Sequence, residues 1–76
     1  MICLIRLKTK DDVLRVSEIA SKTGLNMSVH CGSTMIDPRS VLALFALLGK
    51  GAVLVAPDSV NPADFAKIVK KMGVGA

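Results

Sequence analysis

The chain has 76 residues, a formal net charge of +4 and a pI near 9.4, which suits one domain with a modest core and excludes a deep cavity roofed by a second. Apolar residues make up 51% of it, yet there is no Trp or Tyr and only two Phe, so the core must be aliphatic. The ten basic residues are spread along the chain rather than massed, and without aromatic stacking platforms they do not make a nucleic-acid reader.

Cys3 and Cys31 stand in neither a metal nor a redox spacing, and both fall in apolar runs, where a free thiol packs as a small apolar group. The start "MICLIRLK" is too short in its apolar run for a secretory leader, so a reducing cytoplasm is expected. The longest strongly apolar run, Val41 to Leu48, is far too short to span a bilayer. No membrane association, cofactor or metal is expected.

In chain order, "ICLIRL" (residues 2–7) alternates, which predicts a strand with Cys3, Ile5 and Leu7 on the core face and Ile2, Leu4 and Arg6 on the other. Thr9 followed three residues later by Asp12 approximates a capping box, and Asp11 with Asp12 complements the positive end of a helix. That helix runs to about Thr23, with Val13, Val16, Ile19 and Ala20 inward and Arg15, Glu18 and Lys22 away from the core, and Gly24 stops it. "LNMSVHC" (25–31) alternates without exception, so Leu25, Met27, Val29 and Cys31 share the covered face while Asn26, Ser28 and His30 face the open one. Gly32 and Ser33 turn the chain into a short strand, "TMI".

"DPRS" then reads as a helix start with Asp37 as N-cap, Pro38 in the first position and Ser40 at N3. The helix "SVLALFALL" ends at Gly49. Its apolar character goes round the axis, so if Leu44, Leu47 and Leu48 pack inward, Val41, Leu42 and Phe45 are left near the surface as a patch for a protein partner. "AVLVA" (52–56) is continuously apolar and reads as a central, covered strand. Asn61 and Pro62 start a third helix, with Phe65, Ile68, Val69 and Met72 inward and Gly73 as its stop.

The order β-α-β-β-α-β-α in one α+β domain resembles the histidine-containing phosphocarrier (HPr-like) family of the bacterial sugar phosphotransferase system over essentially the whole chain. The stretches that carry the resemblance are "IASK", "DPRSVLALFALLGKG" and "DSVNPADFAKIVKKMG". It implies an open-faced β-sandwich, with four antiparallel strands in the order 1-4-2-3 and three helices on one face. It also places Ser40 on that family's regulatory serine, a candidate for phosphorylation with Arg39 adjacent. Val41, Leu42 and Phe45 fall where that family meets its partner proteins, namely phosphotransferase-system enzymes or a regulator. A monomer or weak homodimer is expected.

The active site departs from the family. Counting back without gaps from Ala20–Lys22, the phosphorylated histidine position falls on Thr9, and the family's Arg and Pro positions fall on Asp11 and Asp12. His30, the chain's one histidine, is on the second strand and cannot replace it. A phosphohistidine at a helix N-terminus needs free backbone N–H groups and a cation, whereas each carboxylate here favours the bare helix by about 0.3–1 kcal/mol and repels a phosphate. Lys8 and Lys10 offset this only in part. The expectation is a non-catalytic, protein-binding or regulatory module without an active-site residue. A phosphoryl carrier with an unconventional acceptor, such as Asp11 or Asp12, is the alternative.

Overall fold

The computed structural model describes all 76 residues, Met1–Ala76. The first alternating run becomes strand β1 (Ile2–Arg6), followed by helix α1 (Lys10–Thr23), β2 (Ser28–Cys31), β3 (Thr34–Ile36), α2 (Val41–Phe45), β4 (Gly51–Val55) and α3 (Pro62–Met72). The four strands form one antiparallel sheet in the order β1-β4-β2-β3. The α+β element order is the one the sequence predicts, and the strand order is the one the family resemblance implies. No helix is long and apolar enough to cross a membrane.

The pleat sorts the residues of each strand. Ile5, Val29, Ala52 and Leu54 lie buried on the face that α1, α2 and α3 cover, together with Val13, Val16, Leu44, Phe65 and Met72 from the helices. Ile2 and Leu4 lie on the opposite, open face, 73% and 64% exposed. His30 shares that open face, because its neighbour Val29 is fully buried and it pairs across the sheet with Val53 and Met35. It is half-buried rather than fully exposed, and its Nε2 lies 3.0 Å from the Ser28 hydroxyl. Cys3 and Cys31 are free and half-buried rather than enclosed.

Several boundaries differ from the sequence reading. Strand β2 begins at Ser28, not Leu25, because its partner runs out: Ser28 pairs with Val55, and Pro57, two residues further along, has no N–H for the ladder. β4 is central, but covered on one face only. Ala52, Leu54 and Ala56 are buried, while Val53 and Val55 are half-buried on the open side.

The second helix starts later than Asp37. Ser40 is its N-cap, accepting the Ala43 N–H at 3.3 Å, and residues 37–40 form a turn closed by the Ser40 N–H on the Asp37 carbonyl at 3.0 Å. Asp37 caps that turn rather than the helix: its carboxylate accepts the Arg39 N–H at 2.9 Å as well as the Arg39 guanidinium, and the extended backbone of Ser40 (ψ 108°) makes the helix begin after it. Beyond Phe45 the α-helix tightens into successive i to i+3 bonds through Leu48, so the regular helix is five residues, not nine. Leu48 swings outward, at 36% exposed, where an inward position was expected.

Past α3 the chain returns to the sheet. Arg6 N–H donates to the Val74 carbonyl and Ala76 N–H to the Leu4 carbonyl, both at 2.9 Å, so residues 74–76 lie along the outer edge of β1. The edge that remains uncovered along its length is that of three-residue β3.

Candidate functional site

At the mouth of α1 every capping group has a partner. Thr9 is the N-cap in extended conformation, and its hydroxyl accepts the Asp12 N–H at 3.2 Å. The Asp12 carboxylate returns the contact, accepting the N–H groups of Lys8 at 2.9 Å and Thr9 at 3.2 Å. Both arms of the capping box are thus closed. Those two backbone N–H groups are donors that an incoming anion could otherwise use, and an internal carboxylate already holds them.

Arg15 adds a third partner. One of its terminal nitrogens pairs with Asp12, and its Nε donates to the Met72 carbonyl at 2.8 Å. The side chain therefore ties the first turn of α1 to the last turn of α3, where Gly73 takes a left-handed conformation (φ 66°) and lies under the guanidinium. The Lys8 N–H, then the Thr9 N–H and Arg15, hold the Asp12 carboxyl below its ordinary value against the opposing effect of burial. Asp11 takes no part: it is exposed, with neither ion pair nor side-chain hydrogen bond.

Beside the helix mouth is a hollow of about 460 Å³, lined by Arg6, Lys8, Thr9, Asp12 and the backbone-rich stretch from Gly73 to Ala76. The sequence reading missed the role of Arg15, treating it only as a residue away from the core. Its i, i+3 spacing from Asp12 was the available signal. It also missed Ser17, buried on α1, whose hydroxyl donates to the Arg39 carbonyl at 3.0 Å and fixes the approach to α2.

Around Ser40 the geometry is open. The Ser40 hydroxyl is exposed except for its capping bond. Arg39 is paired with Asp37, which its Nε and one terminal nitrogen meet at 2.7 to 3.1 Å, while its other terminal nitrogen has no partner. The Arg39 side chain pulls the Asp37 carboxyl down to about 2.

Of the three patch residues, Leu42 stands out at 85% exposed, while Val41 and Phe45, expected near the surface, are half-buried and pack against the core. One helix turn separates Val41 from Phe45, which puts both on the same side. Leu44 and Leu47 fill the inward side, as expected. The helix mouth and α2 are distinct regions: no side-chain hydrogen bond or ion pair joins Thr9, Asp11 or Asp12 to Ser40, Val41, Leu42 or Phe45. No group of three or more His, Cys, Asp or Glu side chains is gathered closely enough to hold a metal ion. Compared with protein-family models, curated proteins and solved structures, the chain matches none.

Proposed function

We propose that this chain is a non-catalytic relative of the histidine-containing phosphocarriers, a protein-binding or regulatory module that docks through α2. The observation that carries the reading is Leu42, a large aliphatic side chain held 85% in water on a helix whose neighbouring side chains are packed. An apolar anchor of this kind, ringed by half-buried Val41 and Phe45, has the make-up of an interface centre. Ser40, exposed at its edge, gives a place where a phosphate would interfere with an acidic or apolar partner.

The helix mouth supports the non-catalytic half of the reading, because Asp12 holds two of the backbone N–H groups there, those of Lys8 and Thr9, and with Asp11 places negative charge where a phosphoryl group would sit. Arg6 and Lys8 beside the hollow favour the other reading, a carrier with an unconventional acceptor, for which unpaired Asp11 is the available carboxylate. The two separate in one experiment. Incubation with phosphoenolpyruvate and the upstream kinase of the sugar system, read by intact mass, is expected to leave the chain unmodified from Thr9 to Val13. Titrating that kinase into isotope-labelled protein is expected to move the amides of Val41, Leu42 and Phe45, and Leu42→Glu to abolish the response while the fold persists. Phosphate between Thr9 and Val13 establishes the carrier, and an unchanged response from Leu42→Glu removes the docking role.

A further inference from the structure

The open face of the sheet carries chemistry that α2 does not use and that meets the helix-mouth hollow only at its edge, through Arg6 and the C-terminal Ala76. Strand pairing arranges its side chains in rows: Ile2, Val55 and Ser28; then Leu4, Val53, His30 and Met35; then Arg6 and Gly51. The first two rows are mainly apolar and partly open to water, with Met35 at 67% and Leu4 at 64% exposed. The third row has a gap, because Gly51 has no side chain. Arg6 fills part of it: its guanidinium lies over Gly51, with a terminal nitrogen 3.6 Å from where a Cβ would stand.

That guanidinium is held in place but not neutralised. One nitrogen donates to the Gly49 carbonyl at 2.8 Å, which leaves the remaining N–H donors of the fork for a ligand. Arg15 and Arg39 each pair with a carboxylate, whereas Arg6 pairs with none. Around it is a hollow of about 340 Å³ lined by Leu4, His30, Cys31, Gly51, Val53 and Ala76, with no Asp or Glu side chain in the lining and no carboxylate, side-chain or terminal, within ion-pair distance of Arg6. The His30 ring forms one wall and is steadied by its bond with Ser28.

We propose that this hollow binds a small monocarboxylate with an aliphatic body, its head on Arg6 and its body over Leu4 and Val53 towards Ile2 and Val55. The planar fork of an arginine matches a carboxylate in bidentate fashion. A phosphate dianion is disfavoured, because there is one guanidinium, no lysine in the lining, and no helix terminus pointing at the hollow. A cation is excluded by Arg6 itself. The volume is at the small end of the range for ligand sites, roughly 300–1,000 Å³, which fits a short chain lying in a shallow trough rather than an enclosed molecule.

The test is a titration of the isotope-labelled full chain with sodium octanoate, kept below self-association, and in parallel with octanol, octylammonium and inorganic phosphate. Octanoate is expected to give saturable amide shifts centred on Leu4, Arg6, His30, Gly51 and Val53. Octanol and octylammonium should bind more weakly by roughly tenfold or more, the worth of a charge-assisted hydrogen bond. Arg6→Met should reduce octanoate to the octanol level, with an unchanged circular dichroism spectrum. Equal midpoints for octanoate and octanol on the unaltered chain would overturn the proposal without any variant, since the charge would then play no part. Shifts centred on Leu42 instead, or a phosphate response matching that of octanoate, would also sink it.

Discussion

Asp12 shows how much of a helix start one side chain can hold. Its carboxylate meets two backbone N–H groups and Arg15 in the folded chain, and these partners, the Lys8 N–H first, favour its ionised form. A folded-state value below the unfolded one means that the stabilisation is complete above the ordinary carboxylate range, about 4, and is lost as the pH falls through the folded value. Asp37 acts in the same direction, with its window between the ordinary value and about 2. Asp12→Asn is therefore expected to lower stability at neutral pH and to flatten its fall below about pH 4, measured by urea unfolding across that range. Asp37→Asn, measured the same way, should remove a separate part of the acid dependence. Thr9→Ala should cost about 1 kcal/mol, the usual worth of an N-cap, read from the same unfolding curves.

Among the elements, α2 divides its leucines between two jobs. Leu44 is fully buried, so Leu44→Ala should cost about 2–5 kcal/mol through lost transfer energy and the cavity left behind. Leu42→Ala should change stability by less than about 0.5 kcal/mol, and thermal or urea unfolding of the two variants checks the contrast. The ends of α1 and α3 were legible in the sequence because Thr9, Gly24, Asn61 and Gly73 each stop or start a helix by local geometry alone. The start of α2 was not. "DPRS" holds two residues able to cap, and the choice between them rests on the Arg39 grip on Asp37 and the Ser17 bond to the Arg39 carbonyl. The second of these is a contact 22 residues apart in sequence. β4 was legible as a central strand, yet a continuously apolar run does not say whether one face or both are covered. The Arg6 hollow was hidden for a similar reason, since it arises only when Gly51 is paired with Arg6 across two strands distant in sequence.

Across the whole molecule, β4 is the strand on which the rest depends, with β1 on one side and β2 on the other. Its amides should be the slowest to exchange with deuterium and those of β3, on the uncovered edge, among the fastest of the sheet, which amide exchange followed by NMR can check. The position of β4 also governs the order of events at the ribosome. Until residues 51–55 exist, β1 has no neighbour, and the short β2–β3 hairpin is the one piece of sheet that can form. A nascent chain synthesised only as far as residue 50 therefore carries the apolar runs 2–7 and 41–48 with no β4 to join them to the hairpin. For that interval its solubility depends on the charged stretches between them and on whatever shields emerging apolar segments in the cell.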